Sequence, residues 1–369
     1  MEFKTMAIGS PLSLAVIIAA TLAPITANAG GTVKIDDTKW ITVGAGLRTS
    51  FETREDAAPN GNDRSNEFEL ESIRLYISGQ VHEYIKFTFN TERDAEGDIR
   101  VLDGIAQFEF NDYANVWMGR HLPPSDRSNL SGPYYLGAWD FPFVQQFPNI
   151  FAGRDDGVSF WGQVNGGMFK YQVGAYQGAD GGSNDADNLL YAGRLTLNLW
   201  DPEPGYYNSS TYYGAKDVLA FGLVTMAQED ASGVAGDADD FFGWSLDFLM
   251  EKKLSNHAVA TLEAAYYDYD LDDRAFGGTT GGPTQGEGYF VLASYLFPTK
   301  IGFGRLQPQF RYQEFDADLG NVSTDQWELG LNYIIDGHNA RLSLVWGERD
   351  QSNTSDNEDF VKFGIQLQI

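Results

Sequence analysis

The sequence contains no cysteine among its 369 residues. This absence excludes a disulfide framework, a thiolate zinc site and a cysteine nucleophile. Basic residues are also scarce, because 25 Lys and Arg stand against 52 Asp and Glu, for a net charge of -27. A nucleic-acid-binding domain would carry a basic surface. We therefore expect no nucleic-acid partner.

Long apolar runs are missing after the first 29 residues. Residues 1–29 are typical of a cleaved secretory signal, with Lys4 ahead of an apolar stretch and Ala27-Asn28-Ala29 as the cleavage site. A membrane anchor is the alternative for this segment. No later stretch is apolar over the roughly 20 residues that a membrane-spanning helix needs. Residues 30–369 are therefore expected to form one exported domain, either soluble or a transmembrane β-barrel.

From Lys39 onward the apolar residues recur with a period of two, as Ile41, Val43, Ala45 and Leu47 illustrate. The pattern predicts about sixteen strands of about ten residues, the length that tilted membrane strands need. Short turns alternate with long acidic loops, except for a longer turn around Asp201–Pro204. The fold predicted is all-β, a transmembrane antiparallel barrel. One strand, around 217–228, is apolar on both faces, so the pattern does not orient it.

The second set of alternating positions is polar, which favours a water-filled lumen behind an apolar outer face. Five basic residues of this set fall on strands that become neighbours when the barrel closes, and we call them the basic track: Arg48, Arg74, Lys86, Arg341 and Lys362. Seven further lumen-facing candidates are charged: Arg194, Arg311, Asp103, Glu109, Asp247, Glu263 and Glu328. The alternative is that each base pairs with an acid and only stiffens the wall.

The longest connection runs from Arg120 to Asp156 and is the third of the long loops. Such a long loop in a compact domain is usually functional. Because it is rich in apolar residues, we predict that it folds into the lumen and narrows the pore, with a surface lid as the alternative. The candidates in this constriction are Arg120, Tyr134, Tyr135, Asp140, Arg154 and Asp155.

Two stretches at the ends of this loop resemble a known family. Met118–Ser125 resembles the Gly-Gln-x-Lys-x-Pro-Phe-Ser segment of the phosphate-selective porin O and P family, and Ala152–Val158 resembles its Gly-Arg-Asp-x-Gly-Val segment. The sequence departs from the first segment at the lysine, where His121 or Leu122 stands, and at the phenylalanine, where Pro124 stands. The resemblance implies a sixteen-stranded outer-membrane channel, usually trimeric, with its third loop in the pore.

The function predicted is passive diffusion of small anionic solutes, phosphate-like or carboxylate, across the outer membrane of a Gram-negative bacterium. The expected partners are the lipid bilayer, lipopolysaccharide, small ionic solutes and two further copies of the chain. Neither a metal nor a cofactor is expected. One alternative is a nonselective or cation-preferring general diffusion porin. Another is a barrel hydrolase that uses His121 with Ser125 and Asp126, although their spacing is weak support for an enzyme.

Overall fold

A computed structural model describes residues 30–94, 97–277, 282–353 and 357–369. The predicted signal segment, residues 1–29, lies outside these ranges. Within these ranges the chain forms eighteen strands and one short helix. No helix in the described residues is long and apolar enough to cross a membrane. The elements are β1 (Gly31–Lys34), β2 (Trp40–Arg54), β3 (Ser65–His82), β4 (Ile85–Arg93), β5 (Ile99–Glu109), β6 (Asn115–His121), α1 (Arg127–Ser131), β7 (Asp155–Val164), β8 (Phe169–Tyr176), β9 (Leu190–Asn198), β10 (Val218–Val234), β11 (Asp237–Lys253), β12 (Val259–Asp270), β13 (Gly286–Leu296), β14 (Lys300–Ile301), β15 (Gly304–Ala317), β16 (Val322–Asp336), β17 (Ala340–Gln351) and β18 (Glu358–Gln368).

Sixteen of these strands, β2–β13 and β15–β18, form a closed antiparallel barrel. Each pairs with its neighbour in the chain, and β18 closes the ring against β2. The remaining two strands are accessory, because β1 pairs with the start of β2 and β14 pairs with the start of β15. Closure leaves the wall without an unpaired edge, as a sheet inside a bilayer requires. The predicted all-β barrel of about sixteen strands is confirmed.

The wall has an apolar outer face and an inner face that is covered over most of its area. On β2, Val43 is 46% exposed, whereas Arg48, on the opposite face, is only 5% exposed. The same alternation continues around the ring, with outward residues such as Leu195, Leu246 and Leu344 exposed in the isolated chain. An apolar belt of this kind faces lipid in membrane barrels.

The sequence pattern predicted a polar inner face, but part of this face is apolar. Buried apolar side chains from β8 to β15 form a cluster inside the barrel, and Ala138 and Val144 of the third loop belong to it. This explains the strand that the sequence could not orient, which is β10. Its Phe221 faces outward and is exposed, whereas Val224 and Met226 face inward and are buried in the cluster. Both faces of β10 are apolar because one meets lipid and the other meets a folded loop.

Candidate channel lumen

The connection from β6 to β7, residues 122–154, folds inside the barrel. It contains α1, whose first turn is capped by the carboxylate of Asp126, which accepts the backbone N–H of Ser128 at 3.0 Å. Leu130 and Trp139 of this loop are almost completely buried. This third loop contacts inward-facing side chains of β2, β11, β12, β16 and β17, so protein fills the lumen beside it.

The third loop covers most of the basic track. The Arg48 guanidinium lies 4.1 Å from the centre of the Trp139 ring and donates to the Trp139 carbonyl at 2.5 Å. Arg341 donates to the carbonyl of Leu136 at 2.9 Å. Arg74 lies against the ring of Tyr134 at 5.3 Å. The expectation of a solvent-exposed track is therefore wrong for these three side chains, because loop residues lie between them and the open lumen.

Carboxylates also neutralise the track. Arg74 pairs with Glu92 at 2.5 Å, and Lys86 pairs with Glu109 at 2.5 Å. The other acids of the track are Glu71, which lies 3.7 Å from Arg48, and Glu52 and Asp140, which lie 3.0 and 2.9 Å from Lys362. Four of the five bases thus pair with five acids, whereas Arg341 contacts backbone carbonyls and Gln366 instead. Of the five bases, only the Lys86 side chain is substantially exposed, at 34%.

The other charged candidates face inward, and most of them are paired. Arg311 binds Glu328 through two N–H groups at 2.7 and 3.0 Å, and it also donates to the Asp140 carbonyl at 2.7 Å. Arg194 pairs with Asp247. Asp103 pairs with Arg154 of the third loop at 3.1 Å. The remaining candidate, Glu263, accepts a hydrogen bond from Ser210 at 2.7 Å. The contacts with Asp140, Arg154 and Ser210 hold inserted segments to the wall, whereas the other two ion pairs join strands of the wall.

Arg120 was predicted to lie in the constriction, but the structure places it on the outer face of the wall. Strand β6 continues to His121, so alternation puts Arg120 on the same outer face as the exposed Met118. There it binds Asp156 through two N–H groups, both at 2.8 Å.

The other constriction candidates lie inside the barrel. Tyr134 hydrogen-bonds Ser72 of the wall at 3.0 Å, and Tyr135 packs on the ring of His338. Asp140 and Arg154 form the ion pairs given above. Asp155, the first residue of β7, accepts the backbone N–H of Gly178 at 2.7 Å.

The hydrolase candidates are not brought together. The Nε2 atom of His121 lies 2.7 Å from the Ser159 hydroxyl, whereas Ser125 accepts from Asn129 and Asp126 accepts from Tyr267. Within the described ranges, no group of three or more His or acidic side chains is arranged to hold a metal ion.

The sequence pattern did not predict that the connection from β9 to β10, residues 199–217, folds into the barrel. This connection lies on the side of the short turns, yet Glu203, Tyr206 and Ser210 within it are buried inside the barrel. The available signal was its length and its two aromatic pairs, Tyr206-Tyr207 and Tyr212-Tyr213. Exposed turns seldom concentrate aromatic residues.

One sector of the inner wall stays partly open. Tyr76 and Ser78 on β3 and Lys86, Thr88 and Asn90 on β4 face inward and keep partial exposure. By contrast, the inward side chains along β9, β12 and β18 are buried, as Arg194, Glu263 and Gln366 show. The exposed part of the inner wall is therefore concentrated beside β3 and β4.

No family model matches this chain. An uncharacterized protein of Aquifex aeolicus (strain VF5) is 26% identical over 301 residues, which cover 74% of this chain and 68% of that protein.

Solved structures of outer-membrane proteins match the fold. An anion-selective porin from Comamonas acidovorans superposes with a TM-score of 0.60 at 12% identity, over 90% of this chain and 100% of that one. OmpT, an outer membrane protein of Vibrio cholerae, gives 0.58 at 12% identity, over 90% and 98% of the two chains. The outer membrane channel DcaP of Acinetobacter baumannii gives 0.56 at 14% identity, over 92% and 100%. The chain has the fold of outer-membrane porins.

Proposed function

We propose that this protein is a diffusion channel of a Gram-negative outer membrane, through which small hydrophilic solutes pass. The observation that carries the proposal is the closed barrel with an apolar outer face and a partly open, polar sector of inner wall beside β3 and β4. A barrel of sixteen strands is wide enough for an aqueous channel. The third loop and its ion pairs reduce that width.

The charges along the inner wall support weak charge selectivity. Each cation of the track except Arg341 pairs with a carboxylate, so the field that a solute meets is small beyond a few ångströms. Small solutes of either charge are therefore the first candidates. Preference for phosphate-like or carboxylate anions is the second candidate. Its support is Lys86, the one base of the track whose side chain is substantially exposed on the open sector.

The test is conductance across a planar lipid bilayer separating two KCl concentrations. Purified protein should give stepwise currents, and the reversal potential should lie close to zero. A strong reversal potential of anion sign would favour the second candidate, and a chain that inserts without any current would contradict the proposed function.

A matched pair of variants tests which side chain sets the selectivity. Lys86→Glu should shift the reversal potential towards cations, because it leaves two acids on the open sector. Lys300→Glu makes the same charge change in the exposed short β14, away from the lumen, and should leave the potential unchanged.

We also propose that the chain assembles as a homotrimer whose outer walls contact lipid and lipopolysaccharide. The exposed apolar belt supports burial against lipid or a second copy. Light scattering in mild detergent should give the mass of three chains, and a monomer at all concentrations would contradict the trimer but not the channel.

A further inference from the structure

The connection from β9 to β10 enters the barrel from the side of the short turns. We call its inserted part, Glu203–Tyr213, the strap. Glu203, Tyr206, Ser210 and Thr211 of the strap are each at most 2% exposed. Turns on this side of membrane barrels are usually short, so a buried segment here needs a role beyond joining two strands.

One end of the strap is fixed to the wall at β6 and β8. The Tyr206 ring stacks on Trp117 of β6 with the centres 4.5 Å apart. The carbonyl of Tyr206 accepts a hydrogen bond from Gln172 of β8 at 2.6 Å. Lys170, also on β8, donates to the carbonyl of Tyr207 at 3.1 Å.

The other end reaches the opposite wall. Tyr213 belongs to a buried apolar cluster with Val259 of β12, Leu296 of β13 and Ile334 of β16. Its ring packs on His338, whose Nε2 lies 3.1 Å from the carbonyl of Thr211. Around the barrel, β6 and β16 are seven strands apart in one direction and nine in the other. The strap therefore crosses the lumen close to its diameter.

The strap is held rigidly along its length. Arg127 of α1 binds Glu203 through two N–H groups at 2.7 and 2.8 Å, and Ser210 Oγ lies 3.2 Å from Ser131 Oγ. Glu251 of the wall accepts from the Thr211 hydroxyl at 2.7 Å and from the backbone N–H of Gly214 at 2.8 Å. A buried carboxylate with several donors is a strong anchor. The strap and the third loop thus form one connected unit.

We propose that the strap is a second size-determining element of the channel, which closes the larger part of the lumen from the side of the short turns. It leaves the sector beside β3 and β4 as the passage, in agreement with the partial exposure of Lys86 and Thr88. This inference rests on the proposed channel function. It assigns the limit on solute size to two segments that meet, rather than to the third loop alone.

The first test replaces Glu203–Tyr213 by a Gly/Ser segment of equal length. Removing the side chains that cross the lumen should raise the single-channel conductance by about twofold, because conductance follows the open cross-section. In that background Gln172→Cys should react with a charged methanethiosulfonate, whereas in the intact chain this buried position should not react. The same Gly/Ser replacement of the exposed turn Ser255–His257 is the control and should leave conductance unchanged.

The second test uses a variant that keeps the packing. Because the chain has no cysteine, Ser131→Cys with Ser210→Cys forms a single defined pair. We expect the disulfide to form and the oxidised and reduced channels to conduct equally, because the two segments touch while the channel is open. Failure of the pair to cross-link, or a change of current on oxidation, would overturn the inference.

The two proposals fail in different ways. If the unaltered protein carries no current, the channel function itself is wrong. If it conducts and the replaced strap leaves its conductance unchanged, only the role of the strap is wrong.

Discussion

The buried ion pair between Arg127 and Glu203 should be one of the strongest single contributions to the stability of this barrel. The Arg127 side chain is 0% exposed and that of Glu203 is 1% exposed, so water screens neither charge. Burial alone would raise the pKa of Glu203, but the attraction of Arg127 outweighs it and lowers the pKa to about 2. Tyr212 adds a hydrogen bond to the same carboxylate at 2.5 Å.

The magnitude follows from that pKa. The difference between the ordinary value of 4.5 and about 2 corresponds to roughly 3 kcal/mol. Removing one partner of a buried pair costs about 3–5 kcal/mol, because the other charge stays buried without compensation. We therefore expect Arg127→Met to lower the free energy of unfolding at pH 7 by about 3–5 kcal/mol. Arg127→Met combined with Glu203→Met should cost less than Arg127→Met alone.

The assay is guanidinium unfolding of the detergent-solubilised protein, followed by tryptophan fluorescence. Because the folded pKa of Glu203 is depressed, its contribution is complete above the ordinary value of 4.5 and is lost as the pH falls towards 2. The difference between the unaltered protein and Glu203→Gln should therefore shrink over that range. A cost below about 1 kcal/mol for Arg127→Met, the value of an exposed pair, would refute the reasoning, as would costs that simply add in the double variant.

Three further predictions concern the loop and the wall. Burial and the nearby Asp247 raise the pKa of Asp126 from 3.8 to about 6. The free energy of unfolding should therefore fall by roughly 3 kcal/mol as the pH rises from about 4 to above 6. Asp126→Asn keeps the helix cap and should remove this pH dependence from the unfolding midpoints. Leu344→Arg puts a charge on the outer face and should cost about 2–4 kcal/mol near the middle of the bilayer, whereas Leu344→Phe should be nearly neutral in the same refolding titration. Gly119 has φ +124 and a Cβ there would lie 2.1 Å from the Gly104 carbonyl oxygen, so Gly119→Ala should lower the unfolding midpoint, while Gly193→Ala, with 3.7 Å to its nearest neighbour, should not.

The barrel could be predicted from the sequence because lipid imposes a simple rule on it. Outward positions that lie against lipid must be apolar whatever their neighbours are, so Val43 and Leu47 alternate with polar residues in a local pattern. The inner face obeys no such rule. Val224 and Met226 are apolar because a loop that is distant in sequence packs on them. The residues near β10 in the chain do not indicate which segment this is.

The ion pairs could be predicted from the sequence only in part. Arg74 and Glu92 lie on a hairpin, where Tyr76 faces Asn90, so a correct register would have placed them together. Arg127 and Glu203 are separated by three strands, β7 to β9, and their contact depends on two loops that enter the barrel from opposite ends. Arg120 was predicted in the loop because the end of β6 was placed too early, whereas the strand extends to His121. An error of one or two residues at a strand end decides whether a side chain is assigned to a loop or to the outer face.

Solutes should cross the barrel beside β3 and β4, and labelling of single cysteines separates this path from the rest of the lumen. The absence of native cysteine leaves no background reaction. Thr88 and Ser343 both face inward, but Thr88 is partly exposed and Ser343 is 1% exposed. A positively charged methanethiosulfonate should lower the single-channel current of Thr88→Cys and leave that of Ser343→Cys unchanged. A blocked Ser343→Cys channel together with an unaffected Thr88→Cys channel would show that solutes do not pass beside β3 and β4.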